Sequence, residues 1–94
     1  RKFIDPNLQE VRDIIASYLS ENCSVIDIGC GTGAMSFSLA AKCRRIVGVE
    51  LSPRMLRFAN QQKAQLGLKQ VDFVLGNASD LSQFRDREFD AAIT

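Results

Sequence analysis

A glycine cluster, Gly29-Cys30-Gly31-Thr32-Gly33, stands between a β-prone run and a segment with helical spacing. Three glycines in five positions allow a sharp turn and a backbone that touches a ligand, because no Cβ intervenes. Two carboxylates flank the cluster. Asp27 precedes it by two residues, and Glu50 follows Gly29 by 21 residues at the end of the next β-prone run. An acid at that distance from a strand–glycine–helix turn suits the two hydroxyls of a ribose, since one carboxylate accepts both O–H hydrogen bonds. A Lys or Arg after Glu50 would suit a 2′-phosphate; here Leu51 follows, an apolar residue fit to cover a flat base.

Asp27 bears on the other half of the ligand. With Ala34 counted as a third small residue, the loop also fits the G-x-G-x-x-G/A pattern of dinucleotide binders. A pyrophosphate would then rest on the helix N-terminus, where the carboxylate of Asp27 would repel it. The same carboxylate attracts an ammonium. The competing structural roles are plain: Asp27 holding the loop through backbone N–H groups, and Glu50 as a solvated charge at a strand end. A phosphate-free nucleoside with a free ribose and a cationic amino-acid tail meets the local requirements, and S-adenosylmethionine has those parts.

These residues need elements to position them. Asp5-Pro6 reads as a helix start, N-cap followed by proline at the first helical position, with Leu8, Val11, Ile14, Ile15, Tyr18 and Leu19 on one face as far as about Leu19. Strands are expected at Cys23 to Ile28, at Ile46 to Val49 ending on Glu50, at Val71 to Leu75 and at Phe89 to Thr94. From Ala34 a second helix carries Met35, Leu39 and Cys43 on one edge, widened by Phe37, Ala40 and Ala41, with Lys42, Arg44 and Arg45 near its C-terminal dipole. Ser52-Pro53 repeats the cap signal for a helix running to Gly67, and Leu81 with Phe84 suggests a short helical turn. Alternating strands and helices predict an α/β, Rossmann-like doubly wound sheet, mainly parallel, with helices on both faces and about four strands. Such sheets bind ligands beyond their carboxyl ends, which selects Gly29–Gly33, Glu50–Ser52 and Gly76–Asp80.

The 94 residues allow one domain at most. With 46% hydrophobic and 24% charged residues the chain is globular, neither polar enough for disorder nor apolar enough to span a bilayer. Twelve Lys and Arg against eleven Asp and Glu leave +1, with the cations scattered, so charge does not announce nucleic acid. Cys23, Cys30 and Cys43 form no C-x-x-C pair, and without histidine no Cys/His zinc set assembles. Free thiols and no visible secretion leader give the expectation of a cytoplasmic protein and no metal. A start at Arg1 and a stop at Thr94 give the expectation of a single domain, 1–94, cut short at its C-terminal end.

Val25-Ile26-Asp27-Ile28-Gly29-Cys30-Gly31-Thr32-Gly33 resembles the first motif of the class I S-adenosylmethionine-dependent methyltransferases almost letter for letter. Val47-Gly48-Val49-Glu50-Leu51-Ser52-Pro53-Arg54-Met55-Leu56 resembles the second. The resemblance runs in order along essentially the whole chain and covers the cofactor-binding part of a family member. It implies that Gly29, Cys30, Gly31 and Gly33 line the methionine portion of the cofactor with Asp27 beneath it. It implies that Glu50 holds the ribose and that Leu51 and Met55 flank the adenine. Asn77-Ala78 stands where the family often has Asp-Ala, the acid accepting from the adenine amino group. Asn77 accepts without charge assistance, and an ordinary turn asparagine is the alternative. Asp80 reads as an N-cap of the short helix, with substitution for Asn77 at the base as its alternative, and Asp90 reads as structural.

The implied reaction is transfer of a methyl group from S-adenosyl-L-methionine to an unidentified acceptor, a small molecule favoured over nucleic acid or protein, leaving S-adenosyl-L-homocysteine. No residue is assigned as catalytic; Cys30 lacks a partner base and reads as loop filling. The alternatives are an NAD(P)-binding oxidoreductase domain, an aminopropyltransferase, or a non-catalytic binding domain. An uncovered fourth strand would invite pairing with another copy. Gly31→Val is expected to abolish cofactor binding, measured by calorimetry, while circular dichroism stays close to that of the native protein.

Overall fold

The computed structural model describes residues 13, 15–17, 19–77, 79–80 and 89–93. Strands β1 (Ser24–Ile28), β2 (Arg45–Glu50), β3 (Val71–Leu75) and β4 (Ala91–Ile93) form one sheet, all neighbours parallel, in the order β3-β2-β1-β4. The chain therefore steps outward from β1 to β2 to β3 and then returns across β1 to β4. That reversal beside β1 is the switch point at which a parallel sheet opens a crevice beyond its carboxyl ends.

Register decides which side chains share a face. Val25, Ile46 and Val71 lie in one row across three strands, and Asp27, Gly48 and Phe73 in the next row of the same face. The first row is fully enclosed by Leu39, Ala40 and Cys43, with Ile15, Ala16 and Leu19 packed against them. The opposite face buries Ile26, Val47 and Val49, with Val74 and Phe89 beside them. Burial on both faces explains why these strands are runs of Val and Ile without alternation. The expected stripe of the first helix is thus seen at Ile15 and Leu19. Its other members, the Asp5-Pro6 start, Leu81, Phe84 and Thr94 lie outside the described residues.

Helix α1 (Ala34–Leu39) is shorter than the spacing suggests, giving way to a 3-10 turn at Ala40–Lys42. Ala41 is exposed in this turn, whereas Cys43 is buried and its thiol donates to the Leu39 carbonyl at 3.5 Å. Arg45 is the first residue of β2, not the end of a helix, and its guanidinium lies 5.6 Å from the centre of the Phe89 ring. Helix α2 (Pro53–Leu66) begins and ends as the sequence predicts. Ser52 accepts from the Met55 amide at 3.3 Å, and Gly67 closes the helix at φ +65°. Crossovers between parallel strands are right-handed as a rule, and two in the same direction put both helices on one face. A cavity of about 440 Å³ lies between them, walled by Phe37 on α1 and by Phe58 and Gln62 on α2.

Two further contacts hold the frame. Asp90 accepts from the Ser24 amide at 2.7 Å, and its own amide donates to the Ser24 carbonyl at 2.7 Å, pinning the approach to β4 against the start of β1. Asp90 is structural, as expected. On the helix-covered face, the Phe73 ring occupies the space above Gly48. A Cβ on Gly48 would stand 2.6 Å from Phe73 Cδ1 and 2.8 Å from Cys30 Sγ. Gly48→Ala is therefore expected to destabilise the fold by about 1–3 kcal/mol through overpacking. Urea titration should show a lower midpoint with an unchanged slope.

Candidate functional site

The glycine loop is hooked over the end of β2. The amides of Gly29 and Cys30 both donate to the Val49 carbonyl, at 2.8 and 3.1 Å. Gly33 then donates to Cys30, and Phe37 to Gly33, which starts α1. Gly29, Gly31 and Gly33 have φ of +73°, +61° and +92°, the region that L side chains resist. Their surroundings separate them into two kinds. A Cβ on Gly29 or Gly31 would meet nothing within 4 Å, so this side of the loop is open. A Cβ on Gly33 would stand 2.7 Å from Phe73 and 2.9 Å from Phe37. The first two glycines leave room for a ligand, and the third lets α1 approach the sheet.

Glu50 sits beside the open side and binds two loops at once. Its Oε1 accepts from the Gly31 amide at 2.8 Å and its Oε2 from the Ser52 amide at 3.0 Å. These backbone donors, that of Ser52 first, hold the carboxyl below its usual range, so it is ionised at neutral pH. Each carboxylate oxygen has a second lone-pair direction, which leaves Glu50 able to accept from two hydroxyls as well. Sequence reasoning set its ribose role against a solvated charge; the structure adds a third role, bracing the loop.

Asp27 does not brace the loop amides. It is 4% exposed, and its Oδ2 accepts from the Ser36 hydroxyl at 2.7 Å. Burial raises its pKa, and the Ser36 hydrogen bond works against that rise. Among the described residues no cation pairs with Asp27 and no donor reaches its Oδ1. Cys30, between the two acids, turns its sulfur against Gly48. Burial, then the charges of Asp27 and Glu50, push its thiol up to about 12, which favours the packed thiol over the thiolate.

Leu51 and Met55 follow Glu50 and are 64% and 42% exposed. Leu75, paired with Glu50 across the strands and 55% exposed, adds a third apolar side chain that sequence reasoning missed. A hydrophobic residue at the carboxyl end of the neighbouring strand was the available signal. Asn77 is occupied locally: its Oδ1 accepts from the Ser79 amide at 2.9 Å and from the Ser79 hydroxyl at 2.8 Å. Its turn role is thus realised, and Ala78 lies outside the described residues. Gly48, which makes room for Phe73 and Cys30, was also overlooked; a glycine inside a strand often marks such a close approach.

A parallel sheet with this strand order, a glycine loop after β1 and an acid at the end of β2 define a Rossmann-like fold. Residues 19–94 match the family described as Methyltransferase domain, and the chain belongs to that family. It is 38% identical over 63 residues to tRNA (uracil-5-)-methyltransferase homolog A of Homo sapiens, covering 67% of this chain and 10% of that protein. It is 32% identical over 97 residues to the ubiquinone biosynthesis O-methyltransferase of Nitrosomonas europaea, covering 92% of this chain and 41% of that protein. The fold matches a Streptococcus mutans protein solved in complex with SAH, with a TM-score of 0.82 at 19% identity over 96% of this chain and 51% of that one. The chain spans less than half the length of these curated relatives.

The elevated thiol pKa has a direct consequence. On brief iodoacetamide treatment at pH 8, peptide mapping should find Cys30 alkylated far more slowly than a free thiol of ordinary pKa, about 8.5. Rapid labelling of Cys30 would contradict the packing described above.

Proposed function

We propose that residues 1–94 form the S-adenosylmethionine-binding part of one methyltransferase domain. The observation that carries the reading is Asp27: a buried carboxylate with no cationic partner among the described residues, next to a glycine loop whose outer side is open. A buried charge without a partner is costly, and an ammonium beside Oδ1 removes that cost. Glu50 supplies the remaining lone pairs to the ribose hydroxyls. Leu51, Met55 and Leu75 are the apolar surfaces for the base, while the Asn77 carbonyl oxygen is taken up by Ser79. Gly29, Cys30, Gly31 and Gly33 face the amino-acid tail through backbone only.

Bound there, the cofactor supplies a sulfonium-activated methyl for in-line displacement by a nucleophilic O, N, S or C of the acceptor. The work of this chain is alignment and exclusion of water. We take the acceptor to be a small organic molecule, a choice supported by the near-neutral charge and the lack of a basic stripe in this sequence. The relatives named above span a tRNA and a ubiquinone-biosynthesis enzyme. A cytoplasmic setting suits three free thiols, and no helix among the described residues is long and apolar enough to cross a membrane.

Calorimetry with S-adenosylhomocysteine and with NAD tests the proposal. The former should bind and the latter should not; the reverse order would refute it. Glu50→Ala should weaken S-adenosylhomocysteine binding by about 1.5–3 kcal/mol, and an unchanged dissociation constant in a folded variant would remove Glu50 from the ribose site. Transfer of a labelled methyl group by the full protein distinguishes an enzyme from a binding domain.

A further inference from the structure

We infer that Ser36 is a positioning residue for the cofactor's ammonium, acting through Asp27; the inference rests on the cofactor reading above. Ser36 lies in α1 with no exposed surface, where an unpaired hydroxyl would be costly. Serines in helices commonly satisfy themselves on a carbonyl one turn back. Ser38, two residues further on, does so, its hydroxyl donating to the Met35 carbonyl at 2.9 Å. Ser36 instead donates across to Asp27 Oδ2 at 2.7 Å, joining α1 to the end of β1 just before the glycine loop.

The consequence is directional. A hydroxyl committed to Oδ2 holds the carboxylate plane and leaves Oδ1 as the acceptor without a donor among the described residues. It also favours the charged form of a group that burial would otherwise neutralise. Ser36 touches no part of the ligand in this arrangement. Its effect should therefore fall on ligands that carry an ammonium and spare those that lack one.

S-Adenosylhomocysteine and 5′-methylthioadenosine differ in that respect, since the second keeps adenine, ribose and thioether but has no amino-acid tail. In the full protein, Ser36→Ala should raise the dissociation constant for S-adenosylhomocysteine by about tenfold, the usual worth of a hydrogen bond to a charged group. Binding of 5′-methylthioadenosine should change less than about twofold, well inside the worth of a single hydrogen bond. Ser36→Thr, which keeps the hydroxyl, should restore tight S-adenosylhomocysteine binding. Equal losses for both ligands, or no loss for either, would overturn the assignment, because a merely structural serine would not discriminate between them. Should Ser36→Ala fail to fold, Ser36→Cys has a similar size and a weak donor, and must show the same selective loss. Failure of the native protein to bind S-adenosylhomocysteine at all would instead refute the proposed function, an outcome separate from either result with the variants.

Discussion

The height of the glycine loop over the sheet is set by one aromatic ring. Phe73 lies in the row with Gly48 and Asp27, occupies the volume that a side chain on Gly48 would need, and meets Gly33 from below. Phe37 packs edge-on against it, with centroids 5.3 Å apart and planes at 67°. Two residues without a Cβ, one in β2 and one at the head of α1, thus accommodate a single phenyl group. Interiors pack at the density of organic crystals, so this arrangement has little tolerance for added volume. The turn between β1 and α1 can sit close to the strand ends because Gly48 and Gly33 both yield space to Phe73.

On that foundation the two acids divide the labour in an unexpected way. Asp27, the acid within the loop motif, leaves the loop amides alone and takes a donor from α1. Glu50, the acid from the following strand, receives the Gly31 amide and joins it to the Ser52 amide at the start of α2. The carboxylate proposed to hold the sugar is thereby hydrogen-bonded to the loop proposed to face the tail. The two loops at the mouth of the crevice therefore share one carboxylate, that of Glu50.

Much of this was legible in the sequence because its signals are local. Ser52-Pro53 and Gly67 carry their own start and stop chemistry, and the Val71–Leu75 strand lies where its apolar run lies. The glycine loop announced its turn through three residues in five. The features that stayed hidden depend on partners distant in the chain. Helix α1 gives way to a 3-10 turn at Ala40–Lys42, a change that helical spacing does not encode. Arg45 looked like a helix-end cation but begins a strand, its planar head lying near Phe89. The Ser36 bond to Asp27 spans nine residues and two element types, and no pattern along the chain distinguishes Ser36 from Ser38.

The reciprocal hydrogen bonds between Ser24 and Asp90 bear on the order of assembly. Their partners are 66 residues apart, whereas β1, β2 and β3 are joined by consecutive crossovers of modest length. Closing a longer loop costs more entropy, and contacts of high sequence separation slow folding. The three consecutive strands and their helices can thus assemble first, as a half-sheet with one open flank beside β1. Asp90 fixes where β4 meets β1 through these two bonds, a landing point that does not depend on the β4 ladder itself.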